Sequence, residues 1–268
     1  MNVRNTSRDY LTDKVVDVAL IVGKIMLRNG AETYRVEDTM SRICESKHLF
    51  LTQVFVVPTG IFLTVRDGEE VYTRVERIKS SGMNLAVIDQ INDFAWKYVN
   101  NKITPGEEFR TLKKISKAKV YSKNVSILFT GIASCFFTIL LGGDIPSFIV
   151  SFFVGILTGV YIDKLSFMGM IFFLRNFIEG TLMGLTTILF SYIGGLMGYD
   201  ISIDYVMIGC LMPLVPGVAL TNAIRDSISG DLISGGSKLY EAILIALGIA
   251  AGVGVTLTVS NYLFGGAM

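Results

Sequence analysis

The sequence predicts an all-α membrane domain of five transmembrane helices with a broken fourth span, preceded by a small α+β cytoplasmic domain. Three observations lead there. Charge is partitioned: residues 1–123 hold 20 of the 24 Lys and Arg and 15 of the 23 Asp and Glu, so a segment of net +5 precedes one of net −4. The second segment is divided into uncharged windows at 124–143, 145–162, 180–199, 205–224 and 242–268, each near the roughly 20 residues that cross a hydrocarbon core. The fourth window contains Pro213, Pro216 and Gly217, and a proline removes a backbone donor and clashes with the preceding turn. The domains are therefore 1–122 and 123–268.

In the first domain, Val15, Val18, Ala19, Val22, Ile25 and Met26 recur at helical spacing, and Asn29-Gly30 stops that helix. A second helix over Ala31 to Cys44 buries Val36, Met40 and Ile43. Arg35, Glu37, Asp38 and Arg42 take its other face, and the cluster Glu32-Thr33-Tyr34-Arg35-Val36-Glu37-Asp38 reads either as a polar site or, as alternating charge on a helix usually does, as a solvated face, which is the preferred reading. Three β-branched stretches, 54–57, 61–65 and 71–75, form a meander with turns at Pro58-Thr59-Gly60 and at Asp67-Gly68 with its two glutamates. A third helix starts at Asn84, with Leu85, Ile88, Ile91, Ala95 and Tyr98 on one side. Thr104-Pro105-Gly106-Glu107 predicts a capping box for a last, basic helix that runs on to the membrane.

Basic residues orient the spans. Lys113, Lys114, Lys117, Lys119 and Lys123 precede the first, Lys164 and Arg175 follow the second, and Arg225 and Lys238 follow the fourth. Positive residues favour the cytoplasmic side, so the N-terminus is expected inside and the C-terminus outside a plasma (cell inner) membrane. No secretory signal is expected at the start, because Asp17 and Lys24 interrupt its apolar run. Leu165 to Leu174 is apolar but short, either an interfacial segment or an early turn of the third span. Four-residue glycine spacings at Gly155/Gly159, Gly180/Gly184, Gly194/Gly198 and Gly248/Gly252 let helices pack closely and suggest association with further helices.

Several chemistries are excluded. Cys44, Cys135 and Cys210 are scattered and His48 is the one histidine, so neither a disulfide framework nor a metal site is expected. No nucleophile neighbours a histidine and no phosphate loop is present, which argues against an enzyme; no cofactor and no nucleic acid are indicated. Polar groups at membrane depth remain as candidates. Backbone freed at a break is tolerated only where protein or a wet cavity satisfies it, and broken spans often build transport sites. Pro213, Pro216 and Gly217 make the break, with a helix restart suited to a carboxylate. Asn222, Arg225, Asp226 and Asp231 follow it, Asp226 on the face of Asn222 and Arg225 beside it to neutralise Asp226 or Asp231 or to anchor the helix end. Arg175 and Glu179 stand four apart at the entrance of the third span. A half-transporter subunit fits these best; a membrane-anchored sensor or scaffold whose cytoplasmic domain binds a ligand is the alternative.

Gly30-Ala31-Glu32-Thr33-Tyr34-Arg35-Val36-Glu37, followed late in the chain by Pro216-Gly217, Asn222-Ala223-Ile224-Arg225-Asp226, Ser229-Gly230-Asp231, Gly235-Gly236 and Leu239, resembles the threonine/serine exporter family over nearly the whole chain. The resemblance implies export of small hydrophilic amino acids or small dicarboxylates by proton-driven antiport. It also implies an oligomer: relatives of this length resemble the larger half of a split pair, so a second small membrane subunit or further copies of the chain would complete the five spans within the lipid.

Overall fold

The computed structural model describes residues 3–49, 51–68, 70–79, 82–118 and 121–264. Glu69 of the expected hairpin turn, Lys119 of the basic run and residues 265–268 of the last expected span lie outside them. The chain folds as two compact units, one of Met1–Val120 with Thr221–Leu239, the other of Tyr121–Leu220 with Tyr240–Met268.

In the first unit α1 (Val3–Arg28) buries Val15, Val18, Val22 and Met26 at the predicted spacing. It ends at Gly30, whose φ of +87° is a backbone state open to glycine. There Ala31 N–H reaches back to Met26 O at 3.1 Å. α2 (Thr33–Glu45) packs Val36, Met40 and Ile43 into the same core. The sheet is an antiparallel meander, β1 (Leu51–Val57), β2 (Gly60–Asp67) and β3 (Glu70–Arg77), in the order β1-β2-β3. Val56 pairs with Ile61 on the core face, while the neighbouring row Phe55, Phe62 and Val75 stays exposed. This alternation is the period-two signature of a sheet covered on one side.

α3 (Leu85–Val99) starts where predicted, with Asn84 Oδ1 accepting from Val87 N–H. Its buried stripe is Val87, Ile88, Ile91, Phe94, Ala95 and Tyr98, and Leu85, expected on that stripe, is instead exposed. The predicted capping box does not form. α4 (Glu108–Ser116) starts after it because Gly106 holds φ +96°, which no first helical turn can contain, and Glu108 Oε2 accepts from Gly106 N–H at 2.7 Å. α4 also ends at Ser116 rather than running on to the membrane helices.

The second unit holds α5 (Lys123–Leu140), α6 (Ile145–Ser166), α7 (Phe172–Leu196) and α8 (Ile203–Leu211), then a 3-10 turn at Met212–Leu214. α9 (Gly217–Ile228) and α10 (Leu232–Phe264) each pass from one unit to the other. Among the described residues four helices are long and apolar enough to cross a membrane, and the pair Ile203–Leu214 and Gly217–Ile228, bent by 53°, makes up to five spans. The broken fourth span is thus present. Ser122 and Asp144 cap α5 and α6 through Val125 and Ser147 N–H.

Two sequence expectations change here. α7 begins at Phe172, so Arg175 and Glu179 lie within the third helix; counting only uncharged residues had placed its start too late. The 165–174 segment divides: Leu165 and Ser166 close α6, a turn follows, and Phe172 to Leu174 form the first turn of α7, so the reading as an early turn of the third span holds for its last three residues.

Small residues hold this unit together. Thr138 Oγ1 lies 2.6 Å from Ser151 Oγ, between α5 and α6, where both side chains are buried. A Cβ on Gly180 would stand 2.6 Å from Ile249 O, and Gly184 faces Thr256 while Gly248 and Gly252 face Phe173 and Phe177. Gly155 and Gly159 likewise meet Ser134 and Ile127 of α5. Three of the four glycine pairs therefore serve contacts inside the chain, and they no longer argue for outside neighbours.

Candidate functional site

The first unit brings the early polar motif onto residues 221–239. Glu32, Thr33 and Asp226 are buried, which overturns the reading of the early run as a solvated face for Glu32 and Thr33. Asn222 Nδ2 donates to Gly30 O at 3.0 Å. Arg225 Nη1 donates to Glu32 Oε1, and Arg35 Nη1 stands 3.3 Å from the other oxygen of Glu32. Thr33 Oγ1 donates to Asp231 Oδ2 at 2.8 Å, and Ser234 N–H donates to Asp231 Oδ1 at 3.1 Å. Lys238 Nζ donates to Asp226 Oδ2 at 2.6 Å, leaving Asp226 Oδ1 buried and without a hydrogen-bond partner among the described residues.

The local sequence accounts for these placements. Gly30 turns the chain so that its carbonyl faces Asn222, and Glu32 and Thr33 sit at the start of α2. Gly230, at φ +91°, reverses the chain between α9 and α10, and Asp231 caps α10 through Ser234 N–H. On α10, Gly235 carries no side chain where Ala223 and Ser227 of α9 approach.

The carboxylates in this cluster differ. Burial alone would push Glu32 up, but its own backbone N–H, the Arg225 hydrogen bond and the charges of Arg35 and Arg225 hold it below the ordinary value. Asp231 is also held low: hydrogen bonds from Ser234 and Thr33 and the Lys238 charge outweigh its burial. Glu37 goes the other way. Burial raises it and the negative charges of Asp231 and Asp226 raise it further, against the opposing hydrogen bond from Val56 N–H at 2.8 Å. The shifts of Glu37 on one side and of Glu32 and Asp231 on the other thus run in opposite directions within one cluster.

In the second unit the break is built as follows. Val215 leaves the 3-10 turn in extended conformation with ψ 129°, Pro216 precedes the restart, and Gly217 opens α9. Leu220 N–H bonds Pro216 O at 3.0 Å, and a Cβ at Gly217 would meet no atom within 4 Å. On α7, Glu179 is 4% exposed and its Oε1 is 3.6 Å from Arg175 Nε, an ion pair too long for a hydrogen bond.

Of the residues singled out in the sequence, Asn222, Arg225, Asp226 and Asp231 share one cluster, Pro213, Pro216 and Gly217 form the break, and Arg175 and Glu179 pair on α7. Arg225 neutralises neither Asp226 nor Asp231; it pairs with Glu32. Glu32, Thr33, Glu37 and Lys238 were not picked from the sequence as site residues. The one signal for the first three was their place in the early motif, because pairings about 190 residues apart leave no periodic trace.

A family model described as "Putative threonine/serine exporter" matches residues 17–260. The threonine/serine exporter of Corynebacterium glutamicum is 22% identical over 93% of this chain and 52% of its own length. Pheromone-regulated membrane protein 10 of Eremothecium gossypii is 26% identical over 87% of this chain and 31% of its own length. The chain thus spans from a third to about half the length of these relatives. The protein named "Probable succinate transporter subunit YjjP" of Escherichia coli is 22% identical over 91% of this chain and 94% of its own length. No solved structure matches the chain.

Proposed function

The chain belongs to the threonine/serine exporter family, and from that premise we propose that it is a subunit of a proton-coupled exporter of small hydrophilic amino acids or small dicarboxylates. It is a multi-pass membrane transporter protein, not an enzyme. The observation that carries the reading is the broken span. α9 restarts after Pro216, and a helix N-terminus favours an anion by about 0.3–1 kcal/mol at a surface and up to ~2 kcal/mol when partly buried. A carboxylate is the group that amino acids and dicarboxylates share.

One feature favours a multi-subunit assembly: relatives that the chain matches over about nine-tenths of their own length are named "Probable succinate transporter subunit YjjP". A second small membrane subunit or further copies of the chain would complete the path. The lysine-rich segment before α5 favours a cytoplasmic N-terminal domain and an extracytoplasmic C-terminus. The dicarboxylate reading draws on the length match with the succinate transporter subunits, the amino-acid reading on the family description.

Transport into inverted membrane vesicles from cells expressing the chain tests this, with labelled threonine, serine and succinate, each with and without a pH gradient. Accumulation of one of them that collapses with the gradient is expected. Vesicles that move all three no faster than vesicles lacking the chain would sink the reading. A cytoplasm-only reporter fused after Met268 is expected to stay silent, and activity there would overturn the orientation.

A further inference from the structure

Away from the polar cluster, the first unit gathers basic side chains around open space. α1 turns Ile21, Lys24, Ile25 and Arg28 to one side, at spacings of three and four, and α4 presents Phe109, Leu112 and Lys113 across from them. A cavity of about 610 Å³ lies between. A second, of about 330 Å³, shares Lys24 and Arg28 and adds Arg77 and Lys79 from the end of β3. No Asp or Glu is among the described residues lining either one. Lys24 is paired with Glu76 at 2.5 Å; the other four cations have no ion pair among the described residues.

The negative end of the α1 dipole can account for Lys24 and Arg28 in its last turns. The end of α4 does the same for Lys113, but neither helix accounts for Arg77 and Lys79, which come from the end of β3 and raise the repulsion at the same place. Two cavities that share Lys24 and Arg28, one with Lys113 and apolar walls and the other with Arg77 and Lys79, together make the arrangement that holds a polyanion with an apolar body. The volume lies in the range of about 300–1,000 Å³ usual for small-ligand pockets.

The geometry points to a binding site for a small phosphorylated organic molecule of the nucleoside di- or triphosphate class. Its phosphates lie among Arg28, Lys113, Arg77 and Lys79, and its ring rests against Phe109 and the isoleucines of α1. Arg28 supplies the planar fork that matches phosphate oxygens, and the lysines supply mobile point charges. This reading stands apart from the transport proposal, since it concerns equilibrium binding to a different part of the chain.

Calorimetry on the full chain in detergent, titrated with inorganic phosphate, pyrophosphate, ADP and ATP, tests it. Saturable binding of ADP or ATP, tighter than pyrophosphate, is expected. Arg28→Gln and Lys113→Gln should each raise the dissociation constant about tenfold or more, as loss of one charge-assisted hydrogen bond implies, while Arg28→Lys should lose less than Arg28→Gln. All these side chains are solvent-exposed, so the variants should keep the parent melting temperature. Three results would each overturn the assignment: no saturable binding of any of the four, binding unchanged in both Gln variants, or binding only to vesicles of anionic lipid.

Discussion

Breaking the Asp226–Lys238 pair should give an asymmetric result. The two groups stand 2.6 Å apart, Asp226 with no side-chain exposure and Lys238 with 13%. Lys238→Ala strands a carboxylate whose Oδ1 already has no hydrogen-bond partner among the described residues, and removing one member of a buried ion pair costs about 3–5 kcal/mol. Asp226→Asn leaves an ammonium on a flexible stem that can swing its charge to water, so its cost should be nearer 1–3 kcal/mol. Replacing both, as Asp226→Asn with Lys238→Met, removes both charges and should return much of the loss. With about 2–4 °C per kcal/mol for a chain of this order of size, Lys238→Ala should lower the melting temperature by on the order of 10 °C. Thermal unfolding of the purified protein in one detergent at one pH reads all three variants. If Lys238→Ala cost no more than Asp226→Asn, or if the double variant were additive to within about 0.5 kcal/mol, the pair would not be a buried electrostatic unit.

Three further outcomes follow from the same geometry. Because Glu37 is raised, its neutral form is favoured in the fold, and its ionisation withdraws stability as pH climbs through that raised value; Glu37→Gln, which can still accept from Val56, should raise the melting temperature at pH 7 and leave it near the parent's at pH 4. Glu32 and Asp231 carry the opposite sign: they contribute above the ordinary carboxylate range and lose that contribution as pH falls through their lowered values, so Glu32→Gln should cost stability at pH 7 and little at the acid end. Gly180→Val places side-chain atoms against the Ile249 carbonyl and should cost about 1–3 kcal/mol by overpacking, read as a lower melting temperature.

Much of the fold could be read from the sequence because burial there follows local period. Val15 to Met26 alternate at helical spacing and the core takes them at that spacing; Val56, Ile61 and Leu63 alternate at two and line one sheet face. Boundaries failed where one residue overruled a pattern. Gly106 in a left-handed state broke a sound capping signature, and Arg175 with Glu179 inside α7 hid eight residues of span from a search for uncharged windows. The site was less legible. Glu32 looks like any other residue of an alternating surface run until Arg225 is brought to it, and Asp231 to its neighbour Thr33, from the far end of the chain.

The same contacts bear on where a substrate would touch the protein. At 1.5 Å rise per residue, Asn222 lies about 7.5 Å and Asp226 about 13.5 Å along α9 from Gly217. One carbon separates the carboxylate and ammonium of an amino acid, so a molecule whose carboxylate meets the start of α9 cannot also reach Asp226, which moreover is held by Lys238. Asn222 is occupied with Gly30 O as well. A positive group held near the break therefore needs another carboxylate, and among the described residues of the second unit the buried one is Glu179. Charge-neutral Glu179→Gln separates the two roles that carboxylate could have. If it receives the ammonium or the coupling proton, gradient-driven transport should vanish while the melting temperature holds, because the amide keeps the shape and Arg175, at 3.6 Å and partly exposed, loses little. If it serves only to pair Arg175 on the helix, worth about 0.2–0.5 kcal/mol, the variant should transport at the parent rate with unchanged pH dependence, and that result would remove Glu179 from the path.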